Sequence, residues 1–193
     1  MSQLLAVLWS EHRSIAAVLH ALLYLVNDRR SGGKALDAQA IRAILHYLDV
    51  FPERVHHPKE ERFLFAALRH RTSEIDPVLD ALMRDHAGGE GAIRSLEQLL
   101  LGSEQGGEDE FEALAAASER YVKDYHEHMR TEEEVVMKVA RMVLTETDWL
   151  QLRTEWASHR DPLAGIDHRS VNDRMIARIV ELAAPPIGLR SAD

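Results

Sequence analysis

The sequence predicts an all-α protein, an up-down-up-down four-helix bundle with a short C-terminal helical extension. Three observations lead there. Four long stretches carry apolar residues at alternating three- and four-residue steps, the seam of a helix packed against others. Short turns marked by glycine or proline join them. No segment alternates with the two-residue period of a strand, and no Asn-Gly or Asp-Gly hairpin signal occurs. The bundle is assigned to residues 1–143, and the extension, packed on or flanking it, to residues 144–193.

The first helix runs from about Gln3 to Arg30 on a seam of Leu5, Leu8, His12, Ile15, Leu19, Leu22 and Val26. Arg29 and Arg30 suit the negative end of its dipole, and Ser31-Gly32-Gly33 ends it. The second starts at Asp37, a plausible N-cap, and reaches Arg71. Pro52 and Pro58 lie inside it. Each removes a backbone donor, so a kinked helix or two helices meeting near Phe51-Pro52 is expected. Its inward face continues through His56, Glu60, Phe63 and Ala67.

Thr72 to Pro77 is a turn and helix start, and the third helix runs to about Leu101 on Leu79, Leu82, His86, Gly89, Ile93, Leu96 and Leu100. Gly88, Gly89 and Gly91 crowd one turn of it. Glycine weakens a helix interior by roughly 1 kcal/mol relative to alanine, so the cluster implies close approach of something. After the loop at Gly102 to Gly107, the fourth helix runs from Glu108 to about Val143, with His128 and Glu132 in mid-seam. Thr145 to about His159 and Val171 to Leu182 read as short helices, and Pro185-Pro186 as extended chain.

Bulk properties exclude several classes. The chain has 193 residues, a net charge of −9 and no run of Lys/Arg longer than a pair, which argues against a nucleic-acid partner. The absence of cysteine excludes disulfides, iron–sulfur clusters and thiolate ligands and fits a cytoplasmic protein. The apolar run at Leu4 to Trp9 is cut short by Glu11, His12 and Arg13, so neither a signal peptide nor a membrane span is read.

The chemistry lies in polar residues on inward faces. His56 with Glu60 and His128 with Glu132 repeat one pattern, imidazole and carboxylate four residues apart and thus stacked on one helix face. His12, His86 and Glu90 complete a set of seven drawn from all four helices. Unpartnered buried polar groups cost on the order of 1–3 kcal/mol each, and buried charges more. Two divalent cations would supply the missing charge, and iron, manganese and zinc all suit imidazole and carboxylate. His57 and His126 neighbour these positions but are rotated by roughly 100–200° on an ideal helix, and read as surrounding or exposed residues. Tyr121 and Tyr125 read as core residues above the site.

This arrangement resembles the hemerythrin-like HHE cation-binding family. The resemblance rests on Glu11-His12, on His56-His57-Pro58-Lys59-Glu60-Glu61, on Asp85-His86 with Glu90, and on His128 through Glu132-Glu133, over roughly residues 1–143. It implies a non-heme di-iron centre with an oxo or hydroxo bridge. Glu60 and Glu132 would bridge, His12 and His56 would bind one iron, and His86, Glu90 and His128 the other. The oxygen-carrying members present five histidines and two carboxylates; Glu90 stands where they carry a histidine. A third carboxylate lowers the charge of the centre by one unit, which would favour the oxidised state over reversible oxygen transport. Ferritin-like di-iron proteins use paired Glu-x-x-His turns; Glu53-Arg54-Val55-His56 is one such turn, but no second lies in a seam.

The expected function is therefore reaction with, or sensing of, a small oxidant such as oxygen, peroxide or nitric oxide, or the handling of iron. If catalytic, the activity would be of oxidase, peroxidase or nitric-oxide-detoxifying type. The alternatives are a metal-dependent regulatory module, with Trp149 and Trp156 supplying a partner surface, and a structural zinc bundle.

Overall fold

A computed structural model describes residues 2–32 and 35–157. The expected helix Val171 to Leu182, the end of the helix drawn to His159, and Pro185-Pro186 lie outside the described residues. All elements among the described residues are helical: α1 (Ser2–Arg30), α2 (38–71), α3 (Asp76–Gln105), α4 (108–143) and α5 (Glu146–Trp156).

The sequence signals act where they stand. Asp37 caps α2 by accepting a hydrogen bond from the Ala40 amide at 2.9 Å. Gly32 ends α1 with φ +77°, a conformation that costs only glycine nothing. Pro77 sits in the first turn of α3, where its missing donor is no loss. At Thr145 and Asp148 each side chain takes the other's amide and so starts α5. One boundary differs. Helix α3 continues past Leu101 to Gln105, because Gly102 and Ser103 fall in its last turn, where Ser103 Oγ donates to the Leu100 carbonyl and the Gly106 amide closes on Gly102.

Two apolar clusters fix how the helices run. One gathers Ile15 to Val26 of α1, Ile41 to Phe51 of α2, Ile93 to Leu100 of α3 and Phe111 to Met129 of α4. The other gathers Leu4 to Leu8, Leu64 to Leu68, Ile75 to Leu82, Val136 to Leu144, and Trp149, Leu152 and Trp156 of α5. Along the chain α1 passes from the second cluster to the first, α2 returns, α3 passes over again and α4 returns. Successive long helices therefore alternate in direction. Helix α1 packs against α2 and α4, and α3 against the same two. Between the clusters lies one buried polar layer: Glu11, His12, His56, His57, Glu60, His86, His128 and Glu132.

Helix α2 is neither broken nor divided at Pro52. It widens into π-helix over Asp49–His56, returns to α for His57–Lys59, and widens again over Glu60–Phe65. The prolines lack the amide for an i→i−4 bond, and the longer i→i−5 register absorbs the gap without ending the helix. In α4 the same widening occurs over Glu132–Val136. Every π segment thus begins or ends at a residue of the polar layer.

Candidate metal centre

The polar layer holds two groups of potential ligands. His12, His56, Glu60 and Glu132 form one; His57, His86 and His128 form the other. Glu60 Oε1 lies 3.4 Å from His56 Nε2 and 3.9 Å from His12 Nε2, while its Oε2 lies 3.9 Å from His86 Nε2. Glu132 repeats this. Its Oε2 stands 3.4 Å from His12 Nε2, and its Oε1 stands 3.3 Å from His128 Nε2 and 3.8 Å from His86 Nε2. Each carboxylate turns one oxygen to each group.

These side chains fit metal cations. His12 Nε2 and all four oxygens of Glu60 and Glu132 are buried without a hydrogen-bond partner. Their approaches are close but lack hydrogen-bond geometry, and buried polar atoms are seldom left so without a cation or other partner. His86 Nε2 and His128 Nε2 converge to 3.1 Å, as two imidazoles aimed at a common point would.

Carboxylates orient every one of the five histidines through Nδ1. His12 Nδ1 donates to Glu133 at 2.9 Å, His56 to Glu11 at 2.8 Å, His86 to Glu61 at 2.8 Å, His128 to Asp85 at 3.3 Å and His57 to Glu53 at 3.3 Å. With Nδ1 bearing the proton, the Nε2 lone pair is left for a metal. Four of these bonds run in a circle. The carboxylate beside a ligand on α1 holds the histidine of α2, that on α2 holds α3, that on α3 holds α4, and that on α4 holds α1. The fifth closes within α2.

Electrostatics follow from this crowding. Burial works against charge on His12, but its hydrogen bond to Glu133 and the negative charges of Glu132 and Glu60 outweigh it and raise its pKa to about 10. For His128, burial is overcome chiefly by Glu132, giving about 9. His57 goes the other way. Burial, then the neighbouring His86, His56 and His128, push it well below the ordinary imidazole value, so it is neutral and able to ligate. Burial would also protonate Glu11, yet hydrogen bonds from His56 and Trp156 and the nearby Lys59 hold it below the usual carboxylate range. Glu53 is raised to about 7, mainly by burial.

Six of the seven sequence-predicted residues meet here; Glu90 does not. Its side chain is 54% exposed and pairs with Arg94 at 2.9 Å along the outside of α3. His57, read from the sequence as a surrounding or exposed residue, is buried beside His86 and His128 within reach of the same candidate cation position. An ideal 3.6-residue count turns His57 away from the site. In the structure the π turns on either side of it reset the phase, and both members of the His56-His57 pair face inward, His56 toward His12 and His57 toward α3 and α4. The His57 ring stacks on His86 with centroids 4.0 Å apart.

Tyr125 is also more than core. Its hydroxyl donates to His57 Nε2 at 2.9 Å, and burial keeps the phenol protonated. A metal on Nε2 competes with that hydroxyl for one lone pair. Tyr121, Tyr125, Glu53, His57 and His128 line a cavity of about 740 Å³ between α3 and α4, with exposed Arg84 and Asp124 at its rim. Gly89 explains part of the glycine cluster, since a Cβ there would overlap the Glu53 carboxylate. Gly88 and Gly91 have open space around the same position and are not explained this way. Glu11, Glu61, Asp85 and Glu133 belong to the sequence motif, but their role in orienting the histidines was not read from it; the signal is that each adjoins a candidate ligand in the chain.

Helices meeting around buried imidazoles and carboxylates define a cation-binding helical protein. The chain belongs to the hemerythrin HHE cation-binding domain family, whose model matches residues 3–140. No curated protein and no solved structure matches it. Among the described residues no helix is long and apolar enough to cross a membrane.

Proposed function

We propose that the protein holds two iron ions in the core of an up-down-up-down four-helix bundle and reacts with or senses a small oxidant: oxygen, peroxide or nitric oxide. The observation that carries this reading is the straddling of Glu60 and Glu132, each with one oxygen toward each histidine group. His12 and His56 would hold one ion, His57, His86 and His128 the other, and both carboxylates would bridge. With His57 in place of Glu90 the set is five imidazoles and two carboxylates. The extra negative charge attributed to Glu90 then falls away, and with it the argument against oxygen binding. Manganese and zinc share this ligand chemistry, and iron is favoured by the family.

Iron held by these residues would supply redox chemistry toward a small oxidant. The protein's part is to position and to shield. Glu53 fixes the His57 ring through Nδ1, a metal on Nε2 would displace the Tyr125 hydroxyl from it, and Glu133, Glu61 and Asp85 fix His12, His86 and His128. The cavity between α3 and α4 gives a path to the three-histidine side. The apolar clusters keep bulk water from both ends of the layer. The net charge of −9 supports a reading with no nucleic-acid partner, and the lack of cysteine supports a cytoplasmic location.

Anaerobic reconstitution with ferrous iron followed by air tests the proposal. Retained iron and a new oxo-bridge charge-transfer absorption are expected. Protein that retains no iron above background, or stays colourless in air, contradicts it.

A further inference from the structure

Helix α5 lies outside the ring of four long helices, yet it touches the metal site through a hydrogen-bonded chain. The Trp156 indole Nε1–H donates to Glu11 Oε2 at 3.1 Å. The same oxygen accepts from His56 Nδ1 at 2.8 Å. Lys59, one residue before Glu60 and itself buried, donates Nζ to the Trp156 carbonyl at 3.4 Å and lies 5.6 Å from the centre of the indole ring. At the other end of α5, Asp148 accepts from Arg71 at 2.9 Å and 3.0 Å. The helix is therefore pinned at both ends, and one of its pins is shared with a candidate ligand.

Burial sets this link apart from the other three that join one helix to the next. Glu133, Asp85 and Glu61, which orient His12, His128 and His86, are 40%, 62% and 33% exposed, so water competes for them. Glu11 is 4% exposed. In that dry setting a second donor on Glu11 Oε2 decides where the carboxylate sits, and the carboxylate decides how His56 points.

We propose that Trp156 is a positioning residue for the metal site: its indole N–H fixes Glu11, Glu11 fixes His56, and metal binding at His12 and His56 is thereby coupled to the docking of α5. The inference rests on the metal-binding reading above. Coupling of this kind is reciprocal. Whatever α5 docking adds to metal affinity, metal occupancy adds to α5 docking. Helix α5 is then tied to the state of the centre by chemistry, beyond the apolar packing of Trp149, Leu152 and Trp156.

The full chain with Trp156→Phe tests this, because phenylalanine keeps an apolar ring and removes only the N–H. Trp149→Phe, in the same apolar cluster, is the control. Zinc serves as a diamagnetic probe, read by competition with a chromophoric chelator and by the indole N–H resonances of nitrogen-15-labelled protein. Trp156→Phe is expected to weaken zinc binding by about tenfold, the lower end for a residue that supports a ligand, with Trp149→Phe unchanged. In the wild-type chain the Trp156 resonance, identified by its loss in the variant, is expected to shift on zinc addition. Equal affinity of Trp156→Phe and wild type, or a Trp156 resonance indifferent to zinc, overturns the inference while leaving the metal site intact. Wild-type protein that binds no zinc and no iron overturns both. If Trp156→Phe unfolds, Glu11→Gln replaces it, and an unmoved Trp156 resonance in that variant counts against the link.

Discussion

Three contacts fix the imidazole of His57. Nδ1 faces Glu53, Nε2 accepts from Tyr125, and the ring stacks on His86. Replacement by alanine should leave one metal ion per chain where two are expected for the wild type, as counted by metal analysis after desalting. Glu90→Ala should leave the count at two and stability within about 0.5 kcal/mol, since Glu90 makes only a surface pair with Arg94. Glu133→Gln keeps the shape of its side chain but weakens the acceptor for His12 Nδ1. Its cost in metal affinity should be about 10–100-fold, measured by chelator competition.

The same residues set a pH dependence for the metal-free protein. His12 and His128 have folded pKa values of about 10 and about 9, above the ordinary imidazole value of 6.5. Groups raised on folding add stability that is complete below the unfolded value and is lost as pH rises through the folded ones. His57, held low, is neutral in both states above pH 7, roughly, and adds no slope there. Chelator-treated protein should therefore lose stability from about pH 7 to pH 10 in urea unfolding. Metal affinity should rise over the same range, because the metal must displace those protons. Metal-free stability that is flat or rising across that interval would count against the charge arrangement described.

At the scale of the helix, the candidate ligand positions on α2 and α4 coincide with departures from α geometry. The heptad-like seams of α1, α3 and α4 place His12, His86, His128 and Glu132 inward, and these were readable from spacing. Pro52 and Pro58 were readable as trouble, but not how the chain resolves it. Sequence shows that an amide is missing; it does not show whether the helix stops, bends or widens. Because α2 widens, a 3.6-residue count fails over 49–65, and so turns His57 away from the polar layer in which the structure buries it. The glycine-rich turn of α3 was readable as a close approach, though its occupant, Glu53, comes from α2 and could not be named from local pattern. Gly89→Ala should push the tip of the Glu53 side chain off His57 while gaining about 1 kcal/mol of helix propensity, so metal-free stability in urea should change little and metal binding on the three-histidine side should weaken. Metal binding unchanged in that variant would mean that Glu53 does not orient His57.

For the whole molecule, two apolar clusters hold a polar layer that neither could solvate, and the circle of carboxylates ties each long helix to the next. All-α architecture was legible because long amphipathic periods and capping residues agree along the chain. The circle was not, since each of its links joins residues 25 to 121 positions apart. The role of Trp156 was hidden for the same reason, its partner Glu11 being 145 positions away. Metal loading should raise the unfolding temperature, because Glu60 and Glu132 gain partners only in the folded, loaded protein. The central claim is a two-metal centre built from five histidines and two bridging glutamates. Iron per chain after anaerobic reconstitution and desalting tests it most directly. Close to two per chain is the expected result, falling in both Glu60→Ala and Glu132→Ala. One iron or none in the wild type, or two retained in either glutamate variant, would contradict the account.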